Sequence, residues 1–323
     1  MIICIPFIAD REESSGKTLF CQRLGSALSE IDDTKIISDT NKKHDISLHV
    51  VHIEEMKHSA KRVTRLDGIY HNRSMDWKHQ NKNISKHFYK ADAVVYQTQF
   101  CKKLVKRYIG KHTGPNAVIF NGADPEFYRD IEPAKVNHAH NFITYSKWRP
   151  HKRLLDTMEC FLLASIDDSC LYVAGSLERS GLTEGQKKYY FSLPNIKYLG
   201  VLNQESIGSY LKSCKASIHL SWIDWCPNSV VEAIVCGTPV ITNNVGGTQE
   251  LVCPNSGIVC EIDDLWDFQP CKLYKPPSFN RLIVAESLIR FSKEKMIVAS
   301  SHLDIRNIAK KYRQFFEIVL GVV

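Results

Sequence analysis

The sequence lacks any run of about 18 consecutive apolar residues, which is the length that a membrane-spanning helix needs. It also lacks a CxxC pair and an HExxH motif, and no closely spaced ligand pairs indicate a zinc site. Residues 1–7 are apolar, but no positive region precedes them and acids follow, so they predict a core strand and not a signal peptide. We therefore expect neither a membrane span nor a bound metal or other cofactor.

A disulfide pattern is missing as well. Eleven cysteines, an odd number, are scattered through apolar runs of a 323-residue chain, which is far longer than small disulfide scaffolds. This predicts buried free thiols in a reducing compartment and hence a cytoplasmic protein. The hydrophobic fraction of 44% and the charged fraction of 24% are those of an ordinary globular protein.

Acidic residues are scarce between residues 57 and 111, where 14 lysines and arginines stand against three acids within a net charge of +7. One interpretation is a solvated basic face. The other is a surface that attracts an anionic acceptor or lies peripherally on an anionic membrane. No nucleic-acid recognition motif accompanies the charge, so a nucleic-acid partner is not expected.

Short β-branched runs alternate with stretches of helical spacing along the whole chain, as is typical of parallel sheets wound by crossover helices. The length favours two domains. We predict two Rossmann-like, doubly wound α/β domains that face a cleft, over residues 1–130 and 131–303, followed by a long helix within residues 304–323. In such sheets ligands bind at the carboxyl ends of the strands.

One candidate anion site follows the predicted strand 216–220. Asp224 lies on the loop beyond this strand, and Pro227 fits the first position of the next helix. Amides at a helix start suit a diphosphate, and here they belong to Asn228, Ser229 and Val230. Asp224 could orient sugar hydroxyls, and Glu232 could accept hydrogen bonds from a ribose. The alternative is an ordinary crossover whose carboxylate stabilises the helix dipole.

A second cluster of four cations follows the predicted strand 142–145. Its members are Lys147, Arg149, Lys152 and Arg153. Cations at this position would neutralise a leaving diphosphate, with arginine giving bidentate contacts and lysine a point charge. A solvated basic loop is the alternative, but the position beyond a strand end favours a ligand site.

The segment over residues 12–18, Glu-Glu-Ser-Ser-Gly-Lys-Thr, invites a P-loop interpretation. A P-loop needs a glycine where this chain has Arg11, so a phosphotransferase is disfavoured. A small turn ending at Gly16 would instead let a substrate approach the first helix closely.

These residues, in this order, resemble the large family 4 of retaining glycosyltransferases, which have the GT-B fold. The signature of that family, a carboxylate followed after seven residues by Glu-Ala and then Cys-Gly-Thr-Pro-Val, is similar to Asp224 through Val240. Further segments resemble the family's phosphate clamp, domain-junction turn, glycine turn and closing helix, namely residues 147–152, 121–127, 244–250 and 304–320. The resemblance covers nearly all of residues 92–253 and is looser before them.

The resemblance implies transfer, with retention, from a UDP- or GDP-sugar to a hydroxyl of a carbohydrate, lipid-linked or protein-glycan acceptor, usually without a metal. It implies a nucleotide-sugar domain at 131–303 and an acceptor domain at 1–130. The implied catalytic residues are Asp224, Lys152 and Arg149, and the implied acceptor-side residues are Gly16 and Asp67. The implied donor-binding residues are Glu232, Lys147, Ser229, Val230, Asn228, Gly175 and Val201.

Three departures from the family pattern matter. Asp224 stands where glutamate is usual and is shorter by one methylene. Either Lys147 or Arg149 takes the arginine position of the clamp. Asp67 stands where many relatives have a histidine before a glycine, although aspartate also suits an ordinary turn. The Asp224 substitution and the compact N-terminal domain leave open a second hypothesis, a catalytically inactive GT-B relative that binds sugar nucleotides or serves as a scaffold.

Overall fold

The computed structural model describes residues 1–8, 16–263 and 266–323. The described chain forms two compact units. Unit 1 comprises residues 1–124 and 301–323, and unit 2 comprises residues 125–300. The boundaries expected from the sequence were 130/131 and 303/304, whereas the structure divides the chain at 124/125 and 300/301.

Strands and helices alternate through both units. The strands are β1 (Ile2–Cys4), β2 (Lys35–Ile37), β3 (Ile46–Val50), β4 (Lys61–Leu66), β5 (Ala93–Tyr96), β6 (Asn116–Val118), β7 (His140–Tyr145), β8 (Ser169–Ala174), β9 (Ile196–Gly200), β10 (Ala216–His219), β11 (Val240–Asn243) and β12 (Gly257–Cys260). The helices are α1 (Gly16–Ser29), α2 (Trp77–Lys90), α3 (Gln99–Tyr108), α4 (Pro125–Arg129), α5 (Leu154–Ala164), α6 (Glu184–Ser192), α7 (Gln204–Lys212), α8 (Asn228–Val235), α9 (Leu282–Lys293) and α10 (Ile305–Leu320).

Each unit contains one six-stranded sheet whose strand pairs are all parallel. The order is β2-β1-β3-β4-β5-β6 in unit 1 and β12-β11-β10-β7-β8-β9 in unit 2. In unit 2 the chain runs from β7 to β8 and β9 on one side, then returns to β10 on the other side of β7. The predicted pair of doubly wound α/β domains is confirmed.

Helix α10 belongs to the core of unit 1. Its apolar residues recur every three or four positions, which places Ile308, Tyr312 and Phe316 on one buried face, and they join α1 and the sheet in a single cluster. Asp304 caps the helix start by accepting from the amide of Arg306 at 2.8 Å, and Gly321 ends it in the left-handed conformation. Burial of each large side chain contributes roughly 1.5–3 kcal/mol.

Some predicted elements differ from the structure for local reasons. The strand predicted over residues 1–7 is shorter, because β1 ends at Cys4 and residues Pro6–Ile8 form a 3₁₀ turn. Proline has no amide to donate to a neighbouring strand, so the ladder stops before it. Strand β12 and helix α9 were not predicted, since neither segment shows an unambiguous period among its neighbours.

All eleven cysteines are free thiols, and seven of them are buried. Burial raises the pKa of Cys4 and of Cys160 to about 12, so both remain protonated near neutral pH. They act as small apolar side chains in the core. No helix in the described part of the chain is both long enough and apolar enough to cross a membrane.

His49 gives unit 1 a pH-dependent stability. Its ring is fully buried in β3, with Nε2 at 2.8 Å from Ser47 Oγ and Nδ1 accepting from the Glu54 amide at 3.3 Å. Burial lowers the pKa of His49 from 6.5 to about 4. The stabilisation that depends on neutral His49 is complete above pH 6.5. It is lost as pH falls toward 4, because the unfolded chain then binds the proton more tightly.

We expect His49 to account for a loss of about 3 kcal/mol in the free energy of unfolding between pH 6.5 and 4. Chemical unfolding of the wild type and His49→Asn over this range, followed by circular dichroism, measures the effect. His49→Asn should be less stable at pH 7 and show a shallower pH dependence. His79→Asn, at an exposed position of α2, is the control. Equal pH slopes in all three proteins would contradict the assignment.

Candidate donor site

The candidate site lies at the carboxyl edge of the unit 2 sheet, where β7 and β10 are neighbours. The loops that leave these two strands run to opposite sides, because β7 continues to β8 and β10 continues to β11. Diverging loops open a crevice at this switch point, which is where doubly wound sheets bind ligands. The loop that contains the cation cluster of residues 147–153, here called the cationic loop, follows β7. The loop that contains Asp224, here called the Asp224 loop, follows β10.

Lys152 and Asp224 connect the two loops directly. The ammonium of Lys152 donates to Oδ2 of Asp224 in a part-buried ion pair, and the Trp222 amide donates to the His151 carbonyl at 2.7 Å. Burial raises the pKa of the Asp224 carboxyl, but Lys152 and His219 outweigh it and hold the pKa well below its usual range. Asp224 is therefore a carboxylate, and the ion pair holds the Lys152 side chain in place.

His219, the last residue of β10, joins this pair and was not predicted from the sequence. Its Nε2 lies 3.2 Å from Asp224 Oδ2, and its Nδ1 lies 3.3 Å from Ser229 Oγ. The side chain is buried, and burial lowers the pKa of His219 although Asp224 opposes the shift. His219 is a polar residue near the end of the predicted strand 216–220, and this was the signal that could have identified it.

Helix α8 begins one residue later than predicted. Pro227 has an extended backbone and caps the helix, which starts at Asn228. The amide of Val230 donates to the Pro227 carbonyl at 3.1 Å, so the expectation that this amide is available to a ligand was wrong. The amides of Asn228 and Ser229 precede that first helical hydrogen bond. Glu232 lies one turn into the helix and is buried.

The four predicted cations do not converge on one point. Arg149 is exposed and donates to the Tyr274 hydroxyl at 3.2 Å, and Lys147 is exposed. Arg153 is only 1% exposed, and its guanidinium packs over the Phe279 ring at 4.7 Å. Counting Arg153 as a diphosphate-neutralising cation was therefore wrong, since its left-handed backbone at the start of α5 turns the side chain into the core. Lys152 is the member that reaches Asp224.

Gly175 and Val201 lie together at the ends of β8 and β9. The Gly175 amide donates to the Gly200 carbonyl at 2.7 Å, and its carbonyl accepts from the Tyr198 hydroxyl at 3.0 Å. A Cβ on Gly175 would lie 1.9 Å from the Ser146 carbonyl oxygen, so only glycine allows this approach of two loops. Val201 is 74% exposed and presents an apolar surface beside them.

Gly246 supports the Asp224 loop from the end of β11. The neighbouring Gly247 amide donates to the Asp224 carbonyl at 2.7 Å. Gly246 has a φ of +89°, and a Cβ there would lie 2.7 Å from that same carbonyl oxygen. Gly237 has nearly the same backbone, with a φ of +87°, but a Cβ on it would meet no atom of the described residues within 4 Å.

This pair of glycines yields a matched prediction. Both alanine variants should lose about 1 kcal/mol from the left-handed backbone. Gly246→Ala should lose roughly 1–3 kcal/mol more, because the Asp224 backbone must move away. Thermal unfolding of both variants measures the difference, and nucleotide binding reports on the loop. Equal destabilisation of the two variants would contradict the prediction, because it would mean that the Asp224 backbone can move away at little cost.

The predicted acceptor-side residues lie in unit 1. Asp67 follows β4, and its Oδ1 accepts from Arg65 and, at 3.1 Å, from Gln97. Burial raises the pKa of Asp67, although Arg65 and Lys17 oppose the shift. Gly16 begins that helix and is exposed. Residues 12–15 of the P-loop-like segment, and Arg11, lie outside the described residues.

A metal centre was not predicted. Among residues 1–8, 16–263 and 266–323, no three or more histidine, cysteine, aspartate or glutamate side chains are grouped to hold a metal ion.

A family comparison covers the part of the chain that carries this site. Residues 130–267 match the family described as Glycosyl transferases group 1. The match includes the loops that contain Lys152 and Asp224 as well as helix α8. The predicted resemblance to glycosyltransferases is confirmed, while the narrower assignment to family 4 stays a prediction. No curated protein matches the chain.

Solved structures extend the likeness to nearly the whole chain. Sucrose-phosphate synthase from Thermosynechococcus elongatus is 13% identical with a TM-score of 0.65, over 99% of this chain and 94% of that chain. HepE from Anabaena, in complex with UDP, is 13% identical with a TM-score of 0.65, over 98% and 99%. A glycosyltransferase from Rickettsia africae is 14% identical with a TM-score of 0.60, over 100% and 99%. At such identities the likeness concerns the fold, and the predicted GT-B fold is confirmed.

Proposed function

We propose that the protein transfers a sugar, with retention, from a UDP- or GDP-sugar to an acceptor hydroxyl. The observation that carries the proposal is the Lys152–Asp224 ion pair at the switch point of the unit 2 sheet, next to the start of α8. A cation and a helix start supply the positive charge that a diphosphate needs. The group 1 family of residues 130–267 and the UDP bound by HepE from Anabaena support the same class of donor.

We assign the parts of the donor to separate loops. The diphosphate would lie against the amides of Asn228 and Ser229 and draw the ammonium of Lys152 toward it. The sugar would lie at Asp224, and the ribose at Glu232. The nucleotide base would lie at the ends of β8 and β9, on the exposed apolar surface of Val201 beside Gly175.

The reaction requires no protein nucleophile. The acceptor oxygen forms a bond to the anomeric carbon on the face that the diphosphate leaves, while the bond from that carbon to the diphosphate oxygen breaks. The acceptor proton passes to the leaving diphosphate. Lys152, with Arg149 or Lys147 as a second cation, would stabilise the negative charge that grows on the diphosphate, and Asp224 would orient the sugar.

A thermal-shift screen against UDP-, GDP-, ADP- and CMP-sugars tests donor binding. Binding to the folded state stabilises by roughly 2.7 kcal/mol at a ligand concentration 100 times the dissociation constant. We expect a clear shift with a UDP- or GDP-sugar, followed by transfer or slow hydrolysis of that donor. The absence of a shift with every nucleotide sugar would contradict the proposal. Binding without transfer or hydrolysis would favour the catalytically inactive relative.

The proposed acceptor side belongs to unit 1. A stripe of exposed lysines in this unit favours binding to an anionic membrane surface. Helix α2 exposes four lysines at spacings of four residues, Lys78, Lys82, Lys86 and Lys90, without an intervening acid. Helix α3 packs beside it through a Trp77–Tyr108 ring contact at 5.9 Å and exposes three further cations, Lys103, Lys106 and Arg107. Like charges four residues apart destabilise a helix, so the stripe has a cost that membrane binding would offset.

Sedimentation with vesicles tests this acceptor-side proposal. We expect the wild type to bind vesicles that contain phosphatidylserine and not vesicles of phosphatidylcholine alone. Changing the four α2 lysines to glutamine should abolish binding, since each basic residue near an anionic surface contributes about 1 kcal/mol. The charge-matched control changes Lys272, Lys275, Lys293 and Lys295, all exposed in unit 2. Equal binding by both quadruple variants would overturn the proposal.

The proposed site of action is the cytoplasm, because the eleven free thiols favour a reducing compartment.

A further inference from the structure

His219 lies between the two groups that the proposed function places at opposite ends of the donor's reacting bond. Its Nε2 is 3.2 Å from Asp224 Oδ2, the group proposed for the sugar. Its Nδ1 is 3.3 Å from Ser229 Oγ, at the helix start proposed for the diphosphate. The ring is only 6% exposed, so it serves as a buried bridge and not as a ligand contact.

The partners of the ring determine where its proton lies. Asp224 is ionised and can only accept, so the Nε2 of His219 must carry a hydrogen toward it. A neutral ring then has a lone pair on Nδ1, which accepts from the Ser229 hydroxyl. The proton of that hydroxyl is thereby directed into the protein. Ser229 consequently meets the diphosphate with its backbone amide, while its hydroxyl oxygen is held by His219.

The same bridge matters most when a donor is bound. Oδ2 of Asp224 accepts from both Lys152 and His219, and Oδ1 accepts from the Trp225 amide at 2.9 Å. A bound diphosphate would attract Lys152 away from this shared oxygen. His219 and the Trp225 amide then remain to keep Asp224 in place at the sugar.

We infer that His219 is a positioning residue of the donor site, which orients Asp224 through Nε2 and Ser229 through Nδ1. This inference rests on the proposed function for the roles of its two partners. The bridge itself is a property of the protein without a donor. The two parts can therefore be tested separately.

Nitrogen NMR of the histidine rings tests the bridge without any donor. We expect His219, assigned by comparison with His219→Gln, to be the neutral tautomer with hydrogen on Nε2 at pH 7. Asp224→Asn should change this signal, because an amide can donate to the ring as well as accept. The tautomer with hydrogen on Nδ1, or a signal that Asp224→Asn does not alter, would overturn the inference even if the protein is an active transferase.

Two substitutions of His219, each of which preserves one of the two contacts of the ring, test how His219 affects donor binding and turnover. The amide of His219→Asn lies near the former Nδ1 and can still accept from Ser229, whereas that of His219→Gln reaches the former Nε2 and can still donate to Asp224. We expect His219→Asn to bind UDP or GDP within about 3-fold of the wild type. Its turnover of the sugar donor should fall about 10- to 100-fold, as for loss of a hydrogen bond to a charged group. His219→Gln should retain turnover but bind UDP or GDP about 2- to 10-fold more weakly.

The pattern of losses separates positioning from general structural support. If both variants lose binding, turnover and melting temperature together, His219 is structural only and the inference is overturned. Wild-type values in both variants would overturn it as well. A wild type that binds neither UDP, GDP nor their sugars would refute the proposed function instead, while the tautomer measurement would still decide whether the bridge exists.

Discussion

Replacing Lys152 with alanine is expected to lower the rate of sugar transfer about 10²- to 10³-fold, the loss typical of removing one group that stabilises transition-state charge. Lys152 reaches Asp224 across the switch point, whereas Arg149 is bound to Tyr274 and Lys147 is exposed at the surface. Neither of the other loop cations occupies the same position. Steady-state kinetics with the donor identified by thermal shift measures the loss in kcat and KM.

The controls for Lys152→Ala address charge and folding. Lys152→Arg keeps the charge and should recover part of the activity, and Lys188→Ala on the exposed face of α6 should behave as the wild type. Asp224 retains its bonds to His219 and the Trp225 amide, so the variant should stay folded, which its melting temperature checks. Glu232→Ala should also lose activity while folded. Wild-type turnover in both Lys152→Ala and Glu232→Ala would show that the site assignment is wrong.

Arg65→Met is expected to cost about 2–4 kcal/mol of stability, because it removes the donor of a part-buried carboxylate and of a buried amide oxygen. Arg65 is fully buried in β4 and donates to Asp67 and Asn121, and its guanidinium packs 4.1 Å from the Phe20 ring centroid. Methionine fills much of the same volume but leaves both oxygen acceptors without that donor. Chemical unfolding of the purified variant measures the loss.

Two further variants isolate the charge effect. Arg62→Met, near the start of the same strand and half-buried, should change stability by less than about 0.5 kcal/mol. Combining Arg65→Met with Asp67→Asn should recover part of the loss, because the carboxylate no longer remains unpaired beside the core. A double variant as unstable as the sum of its single changes would argue that packing of Arg65, and not its charge, supports unit 1.

The features predicted correctly from the sequence are those that short segments encode. The alternation of β-branched runs with helical periods was sufficient to predict two doubly wound sheets, since each period indicates which face of a segment is buried. The motif spacing likewise placed Asp224 and the α8 start beyond a strand end. The roles assigned to these residues stay predictions, and the experiments on Lys152 and Glu232 test them.

The errors arose where a residue's contacts do not follow from the local periodicity of the sequence. Arg153 looked like a member of the cationic loop, but its left-handed backbone and the Phe279 ring, 126 positions later in the chain, place it in the core. Val230 looked like a free helix-start donor, but the first turn closes tightly on the Pro227 carbonyl. Neither contact leaves a periodic signal in the sequence.

By itself, the sequence determined the fold class, the succession of the site loops and the kind of chemistry that their residues could perform, because these depend on local periodicity and residue type. Only the tertiary structure decided which of the four cations meets Asp224, and that His219 bridges Asp224 to Ser229. The reason is that Lys152 and Asp224 are 72 residues apart. Their contact exists because β7 and β10 are paired in the sheet, and strand order is set by the packing of the whole unit and not by any local pattern.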